Sequence, residues 1–177
     1  MLMDIDYKKV AETILAQYQL PIFGRHGVSH WARVYEGGLK LCEKTGADET
    51  IVRLFALFHD SRRENEKLDN GHGQRGAELL KSLRGSLVRL SDKQFDLLVY
   101  ACTHHTDGLT QADISVQTCW DADRLDLGRI GVRPDPRFLC TDAAKDFEMI
   151  EWSMVRSKVL FAPEIIQTQW GIPLQND

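Results

Sequence analysis

Side chains able to ligate a metal recur along this chain where a helical turn would aim them inward. His30 shares a helical stripe with Val34, Gly37, Gly38 and Leu41, and His59 follows Ile51, Val52, Phe55 and Ala56. His72 heads the stripe Gly76, Leu79, Leu80, Leu83, and His105 ends the stripe Leu97, Leu98, Ala101, Cys102. Asp123 interrupts the apolar stripe Val116, Cys119, Trp120, Leu127, and Asp60 directly follows His59. A buried carboxylate without a partner is costly, so Asp60 and Asp123 need compensation. One divalent cation held by His30, His59, Asp60 and Asp123 satisfies all four at once. Mixed imidazole and carboxylate donors suit iron, manganese, zinc or nickel better than calcium or magnesium alone, with magnesium still compatible.

The elements that must position these residues read as helices. Amphipathic periodicity predicts helices over 4–19, 29–45, 49–60, 72–84, 91–105, 115–127 and 142–161, with a tail over 163–177 that packs through Ile165, Ile166 and Trp170. Pro21 and Pro163 act as brakes, Gly46 as a C-terminal cap, Asp48 as an N-cap, and Ser91 with Gln94 as a capping box. The third helix is apolar almost all round, which places it at the centre of the fold. No segment alternates with period two. The fold class is therefore all-α, one domain over 1–177 with about six to seven helices around the site.

Composition narrows the function classes. The chain has 177 residues, 43% hydrophobic and 27% charged, with 22 basic and 26 acidic residues for a formal charge of −4. That balance gives no electrostatic footprint for a nucleic-acid polymer or an anionic membrane. The N-terminus is too polar for a signal peptide, and no run approaches a membrane span. Cys42, Cys102, Cys119 and Cys140 form no Cys-x-x-Cys pair and sit among apolar neighbours, as reduced core thiols do. A cytoplasmic location is the expectation, and homo-oligomerisation stays open. Trp31, Trp120 and Trp152 read as core packing.

The order His30, His59-Asp60, Asp123 resembles the HD superfamily of metal-dependent phosphohydrolases. His30-Trp31-Ala32-Arg33-Val34 is similar to that family's H-x-x-R-V start, and Asp121-Ala122-Asp123-Arg124-Leu125-Asp126 to its D-A-D-R-L-D segment. His59 to Asn65, His-Asp-Ser-Arg-Arg-Glu-Asn, resembles small bacterial HD proteins, and the likeness spans roughly residues 26–131. The resemblance implies that His30, His59, Asp60 and Asp123 ligate a first metal. Asp123 is preferred to Asp121 because Asp121 shares a wetter face with Gln117, Thr118 and Arg124. Binuclear members resemble the longer order H, HD, H, HH, D, here His30, His59-Asp60, His72, His104-His105, Asp123. Asp60 would then bridge two ions, with His72, His104 and His105 serving the second. Neighbouring helical residues point about 100° apart, so His104 and His105 converge only if the helix frays, and one of them could donate to a substrate phosphate instead.

In such enzymes a divalent ion acidifies water for in-line attack on phosphorus. Arg62, Arg63 and Lys67 follow the His-Asp pair and could reach a phosphate. Glu64 is the nearest acid to position water, off the H-D-x-x-E spacing of the alarmone hydrolases and nucleotidases. The Gly-Tyr-Pro element of cyclic-di-GMP phosphodiesterases is absent. His26 reads as a surface or substrate-contacting residue, and Arg124 as a partner of a nearby carboxylate. The leading expectation is a phosphohydrolase acting on a small nucleotide or phosphate ester. Di-iron oxygenases with the HD fold share a similar ligand order, and a metal-binding regulatory module is the third reading. Loops 64–73 and 108–113 and the tail would set specificity.

Overall fold

The computed structural model describes residues 5–174. Among them are nine α-helices and no strand, only an isolated bridge between Arg84 and Val88. In chain order the helices are α1 Tyr7–Leu15, α2 Val28–Thr45, α3 Glu49–Phe58, α4 His72–Ser82, α5 Asp92–His104, α6 Ile114–Leu125, α7 Asp142–Lys145, α8 Phe147–Lys158 and α9 Ile165–Thr168. Short 3-10 turns, Asp126–Ile130 and Pro136–Phe138, link α6 to α7. No helix among the described residues is long and apolar enough to cross a membrane.

The caps form where expected. Asp48 accepts from Thr50 N and Ile51 N, Ser91 and Gln94 make a full capping box, and Gly46 ends α2 in the left-handed region at φ 69°. Burial of α3 is nearly complete, with Ile51, Val52, Leu54, Phe55, Ala56, Leu57 and Phe58 all in the core. It packs between α2, α5 and α6, while α4 lies along α5 and α8 lies against the 126–130 turn. Trp31 and Trp120 are fully buried, and half-buried Trp152 packs against the same core. All four cysteines are free thiols, three of them buried.

Two expected boundaries differ. The single helix over 142–161 is broken at Asp146, whose backbone is extended (ψ 133°) and whose side chain caps α8 by accepting from Met149 N. An Asp prefers that capping bond to a helix interior, so it divides α7 from α8. The first helix ends at Leu15 rather than 19; its expected start at Asp4, and tail residues 175–177, lie outside the described residues. The tail forms the single turn α9 and buries Ile166 and Trp170.

Glycines let the helices close around the site. A Cβ at Gly76 would overlap Phe58 O at the end of α3, and one at Gly73 would overlap Cys102 O and lie 2.9 Å from His105 Nδ1. Only residues without a Cβ allow α4 to lie this close to the ends of α3 and α5, which carry His59 and His105.

Candidate metal centre

Each candidate ligand enters from a different element. His30 comes from the first turn of α2, His59 caps the C-terminus of α3, His72 opens α4, His105 caps α5, and Asp123 lies in the last turn of α6. Because α3 stops at Phe58, Asp60 sits in the following turn, where Ser61 N and Oγ both donate to Phe58 O.

All four imidazoles are oriented by the same device. Nδ1 of His59 donates to Phe55 O and Ala56 O (3.0 and 3.1 Å), that of His72 to Asp69 O (2.6 Å), and that of His105 to Cys102 O (2.8 Å). Nδ1 of His30 donates to the Asp126 carboxylate at 2.7 Å. A carbonyl can only accept, so Nδ1 carries the hydrogen and a neutral ring turns a lone pair on Nε2 into the centre. The Nε2 atoms then meet in pairs, His30 with His59 at 3.1 Å and His72 with His105 at 2.9 Å.

Asp60 joins the pairs. Its Oδ2 lies 3.5 and 3.8 Å from Nε2 of His30 and His59, and its Oδ1 lies 3.1 and 3.6 Å from Nε2 of His72 and His105. Asp123 Oδ1 completes the first group at 3.3 Å from His30 and 3.6 Å from His59. The donor set passes a direct test for a metal. Two facing lone pairs repel unless a proton or cation lies between them. Bonds of about 2.0–2.2 Å place adjacent donors of a tetrahedral or octahedral ion about 2.8–3.6 Å apart, close to the spacings found here. Two clusters result, His30-His59-Asp60 extended by Asp123, and Asp60-His72-His105.

The electrostatics favour a cation. Burial works to raise the Asp60 pKa, but the imidazoles of His59, His105, His30 and His72 hold it well below the usual carboxylate range. Burial pushes His59 down to about 3, keeping it neutral. Burial and Arg129 would lower His30, yet Asp123, Asp126 and Asp60 raise it to about 9, so in the metal-free protein a proton takes part of the cation's place.

A family model, that of the HD domain, matches residues 27–128, more than half of the chain. The chain belongs to the HD domain family. No curated protein and no solved structure matches it significantly. The matched segment of this HD protein runs from the start of α2 to the 126–130 turn, and so contains every residue of both clusters.

The remaining expected site residues divide. Arg63 is buried at the second cluster, with Nη1 3.3 Å from His72 Nε2 and 3.8 Å from Asp60 Oδ1, while its Nη2 donates to Lys67 O at 2.6 Å. His26 is buried rather than at the surface. Its Nδ1 lies 2.5 Å from Glu66 Oε2 and its ring stands edge-on to His30 at 6.3 Å. Arg62 turns away to Gln17, exposed Glu64 pairs with Arg75 at 3.5 Å, and the exposed Lys67 side chain has no ion pair among the described residues. Those three stand outside the clusters because Asp69, which accepts from Glu64 N and Arg75, ties the loop into its own hydrogen-bond network.

Three expectations are corrected. His104 stands outside both clusters: its side chain is 36% exposed and bonds Asp107 at 2.7 Å. Backbone at His105 stays helical (φ −63°, ψ −21°), so the helix does not fray and the two rings point apart. Asp121 is buried, not on a wet face, and accepts from Cys140 N, Thr141 N and Thr141 Oγ1, because the chain leading into α7 covers that side of α6. Arg124 pairs with no carboxylate among the described residues; it donates to Phe138 O and Leu109 O. One supporting residue has no role assigned from the sequence, although it closes the D-A-D-R-L-D segment. Asp126 anchors His30 and receives Arg33 Nε and Nη2 at 2.7 and 3.0 Å. Its signal is the matched spacing of His30 with Arg33 and of Asp123 with Asp126, three residues apart in each case.

Proposed function

We propose that this HD protein is a metal-dependent phosphohydrolase acting on a small nucleotide or phosphate ester. The observation that carries the reading is Asp60, whose two oxygens face two separate groups of Nε2 lone pairs. His30, His59, Asp60 and Asp123 would hold one divalent ion, and Asp60, His72 and His105 a second. Iron, manganese, zinc and nickel fit these donors best. Such ions supply Lewis acidity, which makes water a nucleophile near neutral pH and offsets charge on phosphoryl oxygens.

The chain's own groups supply the rest. Arg63, fixed beside His72 and Asp60, offers a guanidinium to phosphoryl oxygens whose charge grows during transfer. His26, held by Glu66, is buried close to His30 at the edge of the first group and can orient substrate or water. The same bridging carboxylate favours one second reading, a di-iron oxygenase.

Untagged protein loaded anaerobically with each metal, then given a panel of nucleotides and phosphate esters, separates the two. Phosphate release that Asp60→Ala abolishes supports hydrolysis. Two irons per chain with a mixed-valent signal, oxygen uptake and no phosphate release would establish the oxygenase instead.

A further inference from the structure

A cavity of about 320 Å³ opens beside the metal centre, lined by Arg25, Ser29, Arg33 and Arg129 with Phe23 and Leu160 among its walls. No member of either cluster lines it. Asp126 stands between the two: it holds His30 on one side and Arg33 on the other, and Arg129 Nη1 donates to its carbonyl at 3.0 Å.

The three guanidinium groups are unequally satisfied. Arg33 is fully engaged, by Asp126 and by Phe161 O at 2.8 Å. Arg129 is not. Its side chain is only 7% exposed, and its Nε–H is buried with no acceptor. A buried guanidinium donor without a partner is rare and costly. Arg25, at the exposed rim, makes no hydrogen bond or ion pair among the described residues. Among the described residues, the only carboxylate within ion-pair distance of these arginines is Asp126, so three positive charges face one negative charge.

The wall opposite is held in an unusual conformation. Leu160 adopts φ 53°, a left-handed backbone rare for leucine, just past the end of α8. Phe161 N donating to Arg156 O (3.0 Å) and Arg33 donating to Phe161 O keep it there.

We propose that this cavity is a binding site for a small oxyanion, with phosphate its simplest member, held by Arg129 and Arg25 outside both metal clusters. The groups its arginine lining offers are guanidinium donors, and its surplus charge suits a dianion. The anion could be a free one, or a second phosphoryl group of a molecule that also reaches the metals. The site stands whether or not the clusters hydrolyse phosphate.

The test titrates inorganic phosphate into cobalt-loaded protein, with calorimetry reporting binding and the cobalt visible band reporting ligation at the clusters. Expected is a one-to-one heat that leaves the cobalt band unchanged. Arg25→Ala should weaken it about tenfold and Arg129→Gln at least as much, while Arg25→Lys retains most of it. Arg25 lies at the rim, so its variants test the site even if Arg129→Gln fails to fold. Should the clusters take up no cobalt, the calorimetric comparison of the variants alone decides. Pyrophosphate distinguishes the sources. A cobalt shift whose midpoint Arg25→Ala moves identifies a ligand spanning both sites, and a midpoint that does not move, with calorimetric binding still lost, identifies a free anion. No binding at millimolar phosphate, or binding that tracks the cobalt band and ignores both variants, would overturn the proposal.

Discussion

His30 Nδ1 donates to Asp126 Oδ2 at 2.7 Å, and the same carboxylate receives two bonds from Arg33, three residues after His30 on the same helix. This relationship fixes which nitrogen of His30 is free to ligate. Removing the charge of Asp126 should therefore weaken the first ion without removing any of its ligands. Asp126→Asn should lower metal affinity about 10–100-fold, the usual effect of losing a partner that orients a ligand. Competition against a chromophoric chelator measures it; unchanged affinity would show that Asp126 is only structural.

Metal affinity should also depend on pH through His30. Its pKa in the metal-free protein is raised to about 9, so at lower pH an arriving ion must displace a proton. The sign follows: affinity rises with pH, by about tenfold per unit for one proton, and levels off above about 9. For folding of the metal-free chain the same raised pKa works the other way. The His30 contribution is fully present below its unfolded value near 6.5 and is lost as pH rises through about 9. Chelator competition across this range, with the released proton counted in weak buffer, checks the first; denaturant melts of chelated protein check the second.

The two adjacent histidines should behave oppositely. His105→Ala should cost the second ion, because His105 Nε2 lies 2.9 Å from that of His72 and 3.6 Å from Asp60. His104→Ala removes a half-exposed ring bonded to Asp107 and should leave metal content at the wild-type level. Elemental analysis of both variants gives the comparison.

Gly76→Ala tests the close approach of α4. Its Cβ would overlap Phe58 O and lie 3.3 Å from His59 O, both backbone atoms with no room to yield. A loss of about 1–3 kcal/mol in stability is expected, as for overpacking in a core. Urea denaturation of the metal-loaded variant measures it.

Much of this centre was legible because periodicity along one helix says which side is buried. His30, His59, His72, His105 and Asp123 each sit on an apolar stripe, and their inward placement needs no knowledge of the partner helices. Asp121 shows where that signal ends: what covers it is the chain at Cys140 and Thr141, some twenty residues on and without a helical pattern of its own. Arg62, Glu64 and Lys67 lie in a loop, where no period relates sequence to direction and the Asp69 network decides. Choosing between His104 and His105 required knowing that α5 keeps its helical backbone to the end. The break at Asp146 carried a local signal, an Asp three residues before the Met149 amide it caps, which the surrounding periodicity overrode.

Anomalous diffraction from crystals of the protein grown with manganese tests the central claim most directly. Two peaks are expected, one within bonding distance of His30, His59 and Asp123 and one within bonding distance of His72 and His105, with Asp60 contributing one oxygen to each. A single peak with His72 and His105 unligated, or two peaks that Asp60 does not bridge, would contradict it.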